Sequence, residues 1–133
     1  MNRRSFVKNT GLTSAGFAML PSSVLAATKQ QKVKLGFIGV GLRGQNHLDN
    51  ALRRKDVDVV AVCDIDPRML QMTADLFKKH SKTPPKVYTG DPYAWKKMVE
   101  QKDIDGVIIS TPWEWHAPMI IHSANAGIKY IGT

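Results

Sequence analysis

Val33-Lys34-Leu35-Gly36-Phe37-Ile38-Gly39-Val40-Gly41-Leu42-Arg43-Gly44-Gln45 is the stretch that decides the fold. Its apolar run, Val33 to Val40, reads as a strand that ends in glycines spaced G-x-G-x-x-G, directly before a helical pattern from Gln45 to Arg54. Working outward, the same alternation repeats with short connections. Val57 to Asp64 is a valine-rich strand apolar enough to be buried on both faces. Asp66 then caps a helix with Pro67 at its first position, running to about His80. Val87-Tyr88 is a short strand after the Lys82 to Lys86 loop, and Asp91-Pro92 repeats the cap-then-proline start for a helix to about Gln101. Gly106 to Ser110 is a fourth strand, Ala117 to Ala126 a helix closed by Gly127, and Lys129 to Gly132 a fifth strand. Strand and helix in strict alternation predict an α/β parallel sheet covered by helices.

The glycine spacing gains meaning from its context. It follows a strand, opens a helix, and is followed twenty residues later by Asp64 at the end of the next strand. Gly39 permits the tight turn, Gly41 lets backbone approach a pyrophosphate, and Gly44 lets helix and strand pack closely while helix N–H groups face the phosphates. Asp64 is placed to accept hydrogen bonds from ribose hydroxyls and to repel a 2'-phosphate, which favours NAD over NADP, although Arg68 stands nearby. The expected fold is therefore a Rossmann-type doubly wound sheet. It is incomplete at its C-terminal end, because such a sheet needs a sixth strand and a substrate domain is missing. The chain is read as an N-terminal fragment whose unpaired sheet edge predicts poor solubility. His47 reads as a helix-face residue, and Met69, Met72, Leu76, Phe77 and Trp95 as core.

Composition narrows the classes. With 43% hydrophobic and 23% charged residues in 133, the chain has an ordinary globular balance, which excludes disordered and collagen-like classes. The formal charge of +8 includes Arg3, Arg4 and Lys8, so residues from 28 onward carry sixteen basic against eleven acidic side chains, or +5. The lysines are scattered singly or in pairs without interleaved aromatics, which argues against nucleic acid. Cys63 is the only cysteine, so neither an internal disulfide nor a cysteine-based metal cluster can form, and no metal site is expected.

Residues 1–27 read as an export signal: a basic start, a weakly apolar stretch from Gly11 to Leu25, and a cleavage-like Val24-Leu25-Ala26. Paired arginines followed by Phe6 and Lys8 are similar to the twin-arginine signal, whose machinery carries folded proteins, and a general secretory signal is the alternative. The stretch is too short and polar for stable membrane insertion. Residues 28–32 are a linker, residues 33–133 the dinucleotide-binding domain, and the expected location is periplasmic or exported.

Residues 33–133, with Ser110-Thr111-Pro112, His116 and Ala124-Asn125-Ala126-Gly127, resemble the Gfo/Idh/MocA family. Within it, Gly41-Leu42-Arg43-Gly44-Gln45 and Trp113-Glu114-Trp115-His116 resemble glycoside hydrolase family 109, the NAD-dependent α-N-acetylgalactosaminidases. The resemblance implies that Leu42 and Arg43 line the dinucleotide and that Trp113, Glu114, Trp115 and His116 form a turn beside it. It implies hydrolysis through transient oxidation: hydride leaves sugar C3, the acidified C2 proton is lost with the glycosidic oxygen, water adds, and hydride returns. In the family the base and most sugar contacts come from the second domain, so no catalytic residue is assigned. Glu114 and His116 are read first as cofactor contacts. The alternatives are a periplasmic sugar or polyol dehydrogenase, and a non-catalytic dinucleotide-binding module. The periplasm has no supply of free NAD, which favours an enzyme that keeps its cofactor. The expected partner is a small glycoside or sugar, and homo-oligomerisation of a full-length form is left open.

Overall fold

The computed structural model describes residues 31–133, so the expected export signal and most of the expected linker lie outside the described residues. Among the described residues nine elements follow in order: β1 (Val33–Ile38), α1 (Leu42–Arg53), β2 (Val57–Cys63), α2 (Pro67–Lys79), β3 (Lys86–Tyr88), α3 (Ala94–Val99), β4 (Gly106–Ile109), α4 (Trp113–Asn125) and β5 (Tyr130–Gly132). The strands form one parallel sheet in the order β3-β2-β1-β4-β5. The order reverses at β1, so the chain leaves β1 toward β2 and returns across it to β4, leaving a crevice above the carboxyl end of β1.

Helices cover both faces, which is why β4 and the stretches Leu35 to Ile38 of β1 and Val59 to Cys63 of β2 carry no polar side chain on either side. One core packs Phe37, Val59 and Val62 against Leu48, Ala51 and Leu52 of α1 and Phe77 of α2. The other packs Ile38, Ala61, Cys63, Val107 and Ile109 against Trp95, Met98 and Val99 of α3 and Met119 of α4. The β1–β2 register shifts by one residue: Leu35 faces Val59, but Gly36 faces Ala61. Val60 is the extra residue. It packs with Ala61 on the α3–α4 side, so the two successive residues share a face and Val62 returns to the α1–α2 side.

The expected elements are present, with four shifts of detail. α1 begins at Leu42, inside the glycine motif, because Gly41 already has extended N-cap geometry and its carbonyl accepts from Gln45 N–H at 2.7 Å. Asp91-Pro92 forms a turn rather than the helix start. The Asp91 carboxylate accepts from Tyr93 N–H at 2.7 Å, and α3 opens only at Ala94. Trp113 to His116 is not a turn but the first turn of α4, which starts four residues before the expected Ala117 and contains Pro118. The helix accommodates the proline because Glu114, whose carbonyl loses its partner, and Pro118 itself are both solvent-exposed. Met72, read as core, is largely exposed, whereas Phe77 and Trp95 are buried and Met69 and Leu76 pack partly against the core. Asp66 caps α2 as expected, accepting from Arg68 N–H at 2.9 Å, and Gly127 closes α4 with φ of 88°.

Candidate functional site: the turn above β1

The crevice holds a cavity of about 270 Å³ lined by the ends of β1, β2 and β4 and by the starts of α3 and α4. Gly39, Gly41, Asp64 and Trp115 from the expected set line it, with Ile65, Pro92, Trp95, Thr111 and Pro112 supplying most of the remaining wall. Its floor is made of strand ends, so the wall is chiefly apolar and Asp64 is the charged side chain among its lining residues.

Each glycine of the turn is required for a different reason. Gly39 has φ of 83°, and a Cβ there would stand 2.9 Å from the Ser110 carbonyl oxygen at the end of β4. At Gly44 a Cβ would lie 2.3 Å from the Gly39 carbonyl oxygen, so the helix can sit this close to the turn only without a side chain. At Gly41 a Cβ would meet nothing within 4 Å. Packing within the protein therefore leaves Gly41 free to be any residue, and its bareness serves what approaches from outside. An open backbone followed by the first turn of a helix, whose early N–H groups have no intrahelical acceptor, fits a dinucleotide pyrophosphate.

The turn is tied to both neighbouring strands. Gly39 N–H donates to Cys63 O and Ser110 N–H to Ile38 O, each at 2.8 Å. Asp64 does more than the sequence suggested. One carboxylate oxygen accepts from Val40 N–H at 2.8 Å, the other from Asp66 N–H at 2.8 Å. A carboxylate has about four lone-pair sites, so two remain for ribose hydroxyls. Arg68, which stood as an argument for a 2'-phosphate, instead forks onto Asp66 at 3.2 and 2.8 Å. That guanidinium, together with Arg68 N–H, holds the Asp66 carboxyl below the usual range. Cys63 sits in the wall with its thiol pushed up to about 12, by burial first and then by the Asp64 charge.

The remaining expected residues are divided by their position on a helix. Leu42 and Arg43 are exposed on the first turn of α1, beside the glycine turn but outside the cavity lining. On α4, Trp115 faces inward and meets Tyr93 edge-on at 5.8 Å between ring centroids, while Glu114 and Trp113 point to solvent, Trp113 being 91% exposed. His116 turns back to the end of β4, its Nε2–H donating to Thr111 O at 2.8 Å, so it anchors the helix start. The sequence reading missed Ile65 and Pro92. Both directly follow strand ends or a strand-end turn, the positions that rim a crevice in any doubly wound sheet. A wider groove of about 690 Å³ between α1 and α2, lined by Asn46, Asp49, Met72 and Lys79 among others, lies away from the strand ends. Among the described residues no group of three or more His, Cys, Asp or Glu side chains could hold a metal ion.

Strand order, glycine turn and acid together define an NAD-binding Rossmann domain. Residues 33–132 match the family described as "Oxidoreductase family, NAD-binding Rossmann fold", Gfo/Idh/MocA, and the chain belongs to that family. It is 46% identical over 130 residues to a "Glycosyl hydrolase family 109 protein" of Stenotrophomonas maltophilia, covering 96% of this chain and 28% of that protein. It is also 36% identical over 148 residues to an "Alpha-N-acetylgalactosaminidase" of Tannerella forsythia, covering 98% and 32%. The chain thus spans about a third or less of the length of these relatives. Among solved structures, scyllo-inositol dehydrogenase from Lactobacillus casei with bound NAD(H) and scyllo-inositol superposes with a TM-score of 0.61 at 26% identity, over 76% of this chain and 27% of that one.

Proposed function

We propose that this chain is the cofactor-binding part of an exported glycosidase that hydrolyses α-N-acetylgalactosaminides with NAD kept bound through the cycle. The observation that carries the reading is the 46% identity, across 96% of the chain, to a protein named as family 109. NAD, when bound, supplies a reversible hydride acceptor. The chain's own residues do the rest of what is assigned here. The turn from Gly39 to Gly44 and the first N–H groups of α1 take the pyrophosphate, with Leu42 and Arg43 beside it. Asp64 takes the ribose hydroxyls with the lone pairs that Val40 and Asp66 leave free. Trp115, Pro92 and Ile65 wall the crevice against water. Glu114 and Trp113 face outward from α4, where a sugar or a further part of the protein can meet them. Arg3 and Arg4 carry the proposal of twin-arginine export, which suits a protein that must fold around its cofactor first.

The test is to incubate the complete gene product with para-nitrophenyl N-acetyl-α-galactosaminide while following nitrophenol and NADH absorbance together. Nitrophenol release without net NADH is expected. NADH accumulating with free sugars or polyols, and no nitrophenol, would overturn the reading in favour of a dehydrogenase, which the likeness to inositol dehydrogenases supports as second choice.

A further inference from the structure

We infer that Gln45 is a positioning residue for the phosphate-binding turn: its side-chain amide holds the Val40 carbonyl and so fixes the direction of the Gly41 N–H. This rests on the reading of that turn as the dinucleotide site. Gln45 lies at the end of the first turn of α1, half-buried, with Nε2 at 2.8 Å from Val40 O, 3.1 Å from Met69 O and 2.9 Å from Thr73 Oγ1. Two of these partners are carbonyl oxygens that can only accept, so the nitrogen of the amide must face them. Thr73 is buried on α2, and Met69 lies one turn earlier on the same helix, so one amide joins the glycine turn to α2.

The consequence for the turn is geometric. Gly41 is the N-cap of α1 and brings no side chain to cap it. Instead, both polar groups of the preceding residue are held from outside: Val40 N–H by Asp64, and Val40 C=O by Gln45. In a trans peptide the carbonyl and the next N–H point in opposite directions, and the described residues contain no cis bond. Holding Val40 C=O toward α2 therefore turns Gly41 N–H away from α2, on the residue whose surroundings are open. Gln45 sets an orientation and touches no ligand.

The experiment compares the whole chain with Gln45→Leu and Gln45→Glu, measuring affinity for NAD, ADP and adenosine by calorimetry alongside thermal unfolding. Gln45→Leu is expected to weaken NAD and ADP about tenfold while adenosine, which lacks a phosphate, is unchanged. Equal weakening of all three ligands would mean a merely structural role and overturn the inference, as would unchanged affinity for ADP. Gln45→Glu keeps the shape and carries the test if the leucine variant unfolds. Its carboxylate has no proton to donate at neutral pH and regains one when protonated, so ADP affinity should recover as pH falls. A pH profile parallel to that of the unsubstituted chain would refute the positioning role. Failure of the unsubstituted chain to bind NAD or ADP would instead overturn the dinucleotide site itself.

Discussion

Gly41 and Gly44 stand three residues apart in one motif, yet replacing them by alanine should have opposite effects. At Gly44 the new methyl carbon would be 2.3 Å from a backbone oxygen and 3.0 Å from a backbone carbon, both of Gly39. No rotamer change can relieve a contact between backbone and Cβ, so α1 must move off the turn by about 1 Å, disturbing Leu48, Ala51 and Leu52 beneath it. Overpacking of that kind costs about 3 kcal/mol at its upper end. The better helix propensity of alanine returns about 1 kcal/mol. The net loss is about 2 kcal/mol, which for a domain of this size lowers Tm by roughly 10 °C. At Gly41 the methyl meets nothing and φ of −65° suits any residue; the gain from a stiffer unfolded chain and the poorer capping by alanine at this N-cap offset each other, so stability is expected to hold within about 0.5 kcal/mol. NAD affinity, however, should fall by about 10- to 100-fold, because the methyl stands where the pyrophosphate must reach the backbone N–H groups. Urea unfolding followed by circular dichroism, with NAD titration by calorimetry, reads both quantities. A Gly44→Ala protein as stable as the parent, or a Gly41→Ala protein with parental NAD affinity, would refute the reasoning.

Three further outcomes follow from the site and its surroundings. Asp64→Ala leaves Val40 N–H and Asp66 N–H without their acceptors, so it should lose about 2 kcal/mol of stability as well as NAD binding; loss of binding alone would show that the turn does not depend on the carboxylate. With its thiol near 12, Cys63 at pH 8 is thiolate in about one molecule in ten thousand, so disulfide reagents should label it only after unfolding, and prompt labelling of the native chain would contradict its burial. Asp49 is held down to about 2, first by the hydrogen bond from His80 at 2.8 Å and then by Arg53 and Lys79. Because the folded value lies below the ordinary 3.8, its stabilisation is complete above that pH and disappears as pH falls toward 2; Asp49→Asn should flatten this acid limb of the stability profile, and an unaltered limb would discount the pair.

What was legible in the sequence was what local sterics and periodicity determine. The glycines of the turn, the Asp66 cap and the Gly127 stop each answer to their own backbone, so residue type reveals them. The start of α4 did not show itself, because Pro112 offers no side-chain cap and Pro118 sits within the helix. Its first turn is settled by Trp115 reaching the crevice and His116 reaching Thr111, contacts that exist only once β4 lies beside β1. The double use of Asp64, on Val40 as well as toward a ligand, was hidden for the same reason: the partner lies 24 residues away and is a main-chain group with no signature. Gln45 stood in the sequence as the start of a helix and the end of the glycine motif, and its link to α2 was not legible there because its acceptors are assembled by folding.

The extra residue in β2 gives that strand one residue of slack. Leu35 already pairs with Val59 and Gly36 with Ala61, so removing Val60 would leave Ala61, Val62 and Cys63 on their present partners, in unbroken alternation with β1. Val62 would stay opposite Phe37 on the α1–α2 side, and the Asp64 carboxylate would keep its aim at Val40 N–H. Loops in such a domain can gain or lose residues at little cost, and β2 likewise holds one residue that it can shed without misaiming its acid, whereas β1 pairs with β4 with none to spare. An insertion–deletion scan through this chain should therefore tolerate changes around Lys82 to Pro85 and the loss of Val60, and find single deletions between Leu35 and Ile38 disabling, because there the parity of the strand end does reverse.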